Sequence, residues 1–108
     1  MKAHLDKHGL NFDALVAASD IVAIGAMGVL RENGYRVPED VSVVGYDDVD
    51  PAAHSFPPLT TIRQPLDLAG IELVNCLVEA ISGGHPHSRI LPTKLVIRES
   101  TVFARGMG

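Results

Sequence analysis

The stretch Val41–Asp48 reads Val-Ser-Val-Val-Gly-Tyr-Asp-Asp. A short run rich in β-branched residues ends abruptly in a glycine, an aromatic ring and two carboxylates. Such a run favours a strand, and its lack of polar alternation suits a strand buried inside a parallel sheet. In open parallel sheets, ligands bind just beyond the carboxyl ends of the strands. Asp47 and Asp48 stand at such an end, where a carboxylate offers acceptors to a polar ligand. An Asp pair also caps turns and helices, so this stretch alone leaves both roles open.

The flanking sequence supplies the rest of a strand–helix–strand unit. Ala14–Ala18 is a short apolar run, read as a buried strand. Ser19 or Asp20 then caps a helix that runs to about Asn33, with Gly34 closing it. Its apolar positions are Ile21, Ile24, Met27, Val29 and Leu30. Gly25 and Gly28 each cost such a helix about 1 kcal/mol relative to alanine, and close approach of another backbone is the usual compensation. Pro38–Asp40 makes a turn into the strand Val41–Tyr46. Short links of this kind predict a right-handed βαβ unit with strands 14–18 and 41–46 parallel and adjacent.

Beyond it, Asp50 and Pro51 suit the N-cap and first position of a short helix ending near Ser55. Pro57 and Pro58 break it, and Leu59–Arg63 reads as a brief strand. Pro65 opens a helix over Leu66–Ile81, which Gly83 and Gly84 close. That helix is apolar around much of its circumference, whereas a surface helix carries one stripe. It therefore needs cover on two sides. Arg89–Val102 reads as a final strand with Pro92 near its start. Met1–Gly9 has helix-like content without an N-terminal cap.

Composition narrows the function classes. A chain of 108 residues, 46% hydrophobic, holds at most one small globular domain. Its formal net charge is −4 and it has no basic run, so by itself it is not expected to bind nucleic acid. The single cysteine, Cys76, excludes an internal disulfide and reads as a buried, inert thiol. No apolar run reaches the ~18 residues that would span a membrane. The first residues also lack the apolar core of a secretion signal, which points to the cytoplasm. His4 and His8 share a helix face, yet no third ligand is placed near them, so a solvated face is expected. His85 and His87, either side of Pro86, are no stronger. No metal or other cofactor is expected.

An enzymatic alternative uses Asp47 and Asp48 in a metal-dependent or phosphoacceptor α/β domain. It needs another strand-end carboxylate and a lysine beyond a later strand. Only Asp20 ends another expected strand, and Lys94 lies near the start of its segment. There is no Ser-His-Asp spacing or phosphate-cradling glycine loop either, so the chain is not expected to be an enzyme.

Taken in order, these segments resemble the C-terminal part of the ligand-sensing domain of LacI/GalR-family transcriptional repressors. The matching text is F-D-A-L-V-A-A-S-D-I-V-A-I-G-A-M from Phe12 and L-R-E-N-G-Y-R-V-P-E-D-V-S-V-V-G-Y-D-D from Leu30. It continues as P-P-L-T-T-I-R-Q-P from Pro57 and I-L-P-T-K-L-V-I-R-E-S-T from Ile90. The resemblance implies an α/β fold: a mostly parallel sheet with flanking helices, part of a periplasmic-binding-protein-like domain. It implies a core over about 12–63, a crossover helix over about 65–82 and a returning strand over about 89–102. The crossover helix would pack on a second subdomain.

The family binds a small metabolite, sugar-like or a nucleoside, in a cleft between two subdomains. That binding alters the affinity of a helix-turn-helix head for operator DNA. No such head, hinge helix or N-terminal subdomain is recognisable here, so the chain is expected to hold one wall of the cleft. Contact with operator DNA would run only through the absent N-terminal part. By resemblance, Asp47 accepts hydrogen bonds from the ligand. Ser19 is a polar cleft contact or the helix cap, two compatible roles. Asp20 is a further candidate contact that also suits a cap, Asp48 orders the turn, and Tyr46 points away from Asp47. Gly25, Met27, Gly28, His54 and Phe56 fall where the family dimerises, which implies a homodimer or higher oligomer.

Overall fold

The computed structural model describes residues 9–102. The expected N-terminal helix and the His4–His8 pair fall outside the described residues. The element order is β1 (Ala14–Val16), α1 (Asp20–Glu32), β2 (Ser42–Val44), α2 (Asp50–His54), β3 (Thr61–Arg63), α3 (Leu66–Ile81) and β4 (Lys94–Val96). The chain divides into two compact units, Met1–Arg63 with Leu95–Gly108, and Gln64–Lys94.

In the first unit, β1 and β2 pair in parallel, with Ala14 opposite Ser42, Leu15 opposite Val43 and Val16 opposite Val44. This is the pairing the short links predict, with α1 as the crossover. Both strands are shorter than expected. β1 is also not fully buried: Val16 is 74% exposed, half-buried Leu15 packs against the core, and Ala17 just beyond the strand is buried in it. Single parallel bridges, Val44 with Thr60 and Asp47 with Arg63, carry the arrangement from β2 toward β3. β3 itself pairs with β4.

The core stripe of α1 is Asp20, Ala23, Met27 and Leu30, spaced three, four and three residues apart, with Ala26 beside them. That spacing keeps one helix face toward the sheet. Ile21, expected in the core, lies off this stripe and is exposed, as is Val22. Ala23, Met27 and Leu30 pack with Ala17, Val41, Val43, Ala52 and Leu59. Gly34, at φ +82°, ends the helix region in the left-handed conformation that glycine adopts without cost. In α2 the N-cap is Val49 rather than Asp50, which is the first helical residue, and the Val49 amide donates to the Asp20 carboxylate.

The expected strand 89–102 shrinks to Lys94–Val96. Pro92 has no amide hydrogen to contribute to a ladder. Past β4, side-chain bonds join backbone bonds in holding the chain to β2 and the approach to β3. Ser100 is fully buried, and its hydroxyl donates to the Val43 carbonyl (2.5 Å) and accepts from the Thr60 amide (2.8 Å). Its carbonyl accepts from the Val43 amide at 2.9 Å. One serine therefore completes the backbone bonding of both β2 and the approach to β3.

The second unit is the helix α3 and the loop after it. None of the side chains of α3 is buried, and Leu73 and Ile81 are 71% and 76% exposed. The all-round apolar pattern thus leaves no buried side chain on this helix among the described residues. Arg89 in the loop pairs with Glu72 at 3.1 Å. Cys76 is half-buried rather than buried.

Replacing Ser100 by alanine should strand the Thr60 amide and the Val43 carbonyl. We expect a loss of about 1–3 kcal/mol, the penalty for unpaired buried polar groups, read as a lower urea midpoint at unchanged slope.

Candidate functional site

The candidate site forms where β1, β2 and β3 end on one side of the sheet. Ser19 follows the end of β1, Asp47 and Asp48 follow β2, and Arg63 ends β3. Parallel pairing makes this convergence unavoidable, because the carboxyl ends of parallel strands share an edge.

Ser19 is the N-cap of α1. Its hydroxyl accepts from the Val22 amide at 3.3 Å, in an extended backbone at φ −152°. A hydroxyl in this role keeps its own hydrogen to donate. Ser19 is half-buried, so the cap and a ligand contact are compatible.

Asp20 is corrected by the structure. It is fully buried, and both carboxylate oxygens are committed inside the protein. Oδ1 accepts from the Thr61 hydroxyl at 2.5 Å and Oδ2 from the Val49 amide at 2.8 Å. Thr61 Oγ1 in turn accepts from the Asp48 amide at 3.3 Å. Asp20 is thus a tether between the start of α1, the loop after β2 and the start of β3. It is not a surface for a ligand. Sequence gave it polarity and position but could not show that partners from distant segments would enclose it.

Gly45 explains why this tether fits. A Cβ built there would collide with Asp20 Oδ1, with Leu59 Cδ2 at 2.8 Å and with the backbone of Asp20 at 3.1 Å. The glycine that ends the β-branched run therefore makes room for the helix N-terminus.

Asp47 and Asp48 both have positive φ, +112° and +56°. Non-glycine residues rarely hold such angles, and they persist only where surrounding bonds enforce them. Here the Asp47 amide donates to the Ile62 carbonyl at 2.9 Å. Asp47 is half-buried.

Asp48 takes bonds from two guanidiniums, Arg98 Nη2 at 2.6 Å and Arg63 Nε at 2.7 Å, with only 7% of its side chain exposed. Arg98 also donates to the Leu59 carbonyl at 2.9 Å. Burial works against the charge on Asp48. The bonds from Arg98 and Arg63 outweigh it and hold the carboxyl below the usual range. The pair's contribution to stability is therefore whole above the unfolded value near ~3.9 and is lost as pH falls through the lower folded value.

Asp48 is taken up by Arg63 and Arg98 and Asp20 is enclosed, so neither of these carboxylates stands open beside Asp47. Arg63, Arg98 and Thr61, none expected in the site, are what shape it. Arg63 and Thr61 were visible in the T-T-I-R-Q text, but their partners lie on other segments.

The dimer candidates separate in the same way. Met27 belongs to the core at 2% exposure and presents nothing to a partner. Gly25 and Gly28 have open space where a side chain would stand among the described residues. Phe56 is 77% exposed, with Arg31 over its ring at 5.8 Å and donating to its carbonyl at 3.2 Å. His54 is exposed beside it. A hollow of about 250 Å³ in this unit is lined by Met27, Arg31, Tyr35, Val37, Phe56 and Pro57 among others, and by none of Ser19, Asp20, Asp47 or Asp48.

The close contact at Gly45 yields a direct test. Gly45→Ala should destabilise the fold by about 1–3 kcal/mol, the usual cost of overpacking, measured by denaturant unfolding.

Residues 2–101 match the family model of the periplasmic binding protein-like domain. The HTH-type transcriptional regulator CelR of Thermobifida fusca is 49% identical over 90 residues, covering 82% of this chain and 26% of the relative. The solved complex of CelR with cellobiose superposes with a TM-score of 0.82 at 47% identity, over 89% of this chain and 30% of that one. A lac repressor dimer, solved with operator and the anti-inducer ONPF, gives a TM-score of 0.84 at 37% identity, over 94% and 36%. This chain thus spans about a quarter to a third of the length of the proteins it matches. It belongs to the periplasmic binding protein-like domain family, in the form carried by LacI-type transcriptional regulators.

Proposed function

We propose that this chain is one wall of an effector cleft in a LacI-type regulator. In that cleft a sugar or a nucleoside is read by hydrogen bonds without chemistry. Asp47 is the principal acceptor and Ser19 a secondary contact. The observation that carries this reading is the strained backbone of Asp47 at the shared carboxyl edge of parallel strands. Strain of that kind collects at ligand clamps, and a carboxylate forms strong charge-assisted bonds to hydroxyls. The CelR complex supports a sugar, and a regulator of operator DNA works in the cytoplasm. Operator contact would come from a part of the regulator outside this chain.

The same reading assigns Gly25, Gly28, His54 and Phe56 to a subunit interface. The open glycine face of α1 lets a second helix approach closely, and Phe56 supplies an apolar anchor. The lac repressor, solved as a dimer, supports it.

Two outcomes test these assignments in the intact regulator. In calorimetric titrations with mono- and disaccharides headed by cellobiose, Asp47→Asn should weaken binding about tenfold to a hundredfold. Operator affinity without sugar should stay unchanged. Equal sugar affinity in wild type and variant would make Asp47 a turn residue. In sedimentation, Phe56→Glu should raise the dimer dissociation constant by about tenfold or more. An unchanged constant would remove the interface from this face.

A further inference from the structure

We propose that Asp48 is the positioning residue of the site: through Arg63 and Arg98 it holds the Asp47 backbone in its ligand-reading conformation. This rests on the reading of Asp47 given above and deepens it. Consecutive positive φ angles at Asp47 and Asp48 are unfavourable for residues with side chains, so something outside the loop must enforce them. Bonds to other segments do. The Asp47 amide is fixed to Ile62 and the Asp48 amide to Thr61, which orients the loop backbone. The Asp48 carboxylate accepts two more, from Arg63 at 2.7 Å and from Arg98 at 2.6 Å.

Those arginines come from segments 35 residues apart in sequence, as their numbers 63 and 98 show. Arg63 is the last residue before the chain leaves the first unit, and Arg98 follows its return at Leu95. The Arg98 backbone is itself pinned, its amide donating to Thr60 Oγ1 at 2.9 Å. Asp48 therefore ties the ligand-reading loop to both segments that connect the units. A neutral or shorter group at position 48 frees the loop to relax toward ordinary angles and moves the Asp47 carboxylate off its place.

The test reads Asp47 directly by nuclear magnetic resonance of the isotope-labelled chain, following its amide resonance and its φ-sensitive HN–Hα coupling. Asp48→Asn and Arg63→Gln should change both, and Asp48→Glu, which keeps the charge, should lie closer to wild type than Asp48→Asn. Arg36→Gln, which breaks a comparable arginine–aspartate pair with Asp40, should change neither. A purely structural role would lower thermal stability and leave Asp47's coupling in the folded protein as it was.

In the intact regulator, with cellobiose as probe, Asp48→Asn should also weaken sugar binding about tenfold while operator affinity is retained. If Asp48→Asn does not fold, Arg63→Gln decides, because Arg63 is half exposed and its loss leaves the Asp48–Arg98 pair in place. An Asp47 coupling identical to wild type in both variants overturns the inference. A shifted coupling together with sugar binding indifferent to Asp47→Asn upholds the inference and rejects the sugar site.

Discussion

The Asp20 carboxylate sits at the first turn of α1, wholly out of water, and accepts from Val49 and Thr61. A carboxylate removed from water costs several kcal/mol unless its oxygens are bonded and its charge is met. The positive end of the α1 dipole favours the carboxylate, and the Val49 amide and the Thr61 hydroxyl donate to its two oxygens. Because those donors belong to the loop after β2 and to the start of β3, satisfying Asp20 fixes all three segments together. Gly45 makes the approach possible, and the carboxyl edge of the sheet acquires its shape from it.

The loop that results has two aspartates with opposed roles. Asp48 is spent on Arg63 and Arg98, and that expenditure stabilises an unusual backbone beside it. Asp47 is the residue carried by that backbone. Equivalent chemistry in adjacent residues is thus divided by environment: the Asp48 carboxylate is clamped between two guanidiniums and nearly buried, while Asp47 is half-buried beside it.

The two faces of α1 show a similar division. Ala23, Met27 and Leu30 close the core, while Gly25 and Gly28 open outward with none of the described residues against them. Two glycines in a helix cost about 1 kcal/mol each, and the described residues give nothing back for it. A subunit approaching that face would. The exposed aliphatic residues of α3 are likewise unburied among the described residues. The resemblance assigns that helix to packing against a second subdomain.

Local sequence was sufficient for much of this. The β-branched run ending in Gly-Tyr-Asp-Asp, the capped helix before it and the short links between them specify a parallel βαβ unit, because strand and helix periodicity and turn chemistry act over a few residues. The family resemblance placed Asp47 at the site edge for the same reason: its motif is contiguous. The length of the final strand, the roles of Asp20, Asp48 and Met27, and the parts played by Arg63, Arg98 and Ser100 were decided only in three dimensions. Each depends on partners tens of residues away. Ser100 reaches Val43 across 57 positions and Arg98 reaches Asp48 across 50. Whether a polar side chain faces ligand or is enclosed depends on which distant donors arrive beside it, and hydrogen bonds act only over about 3 Å.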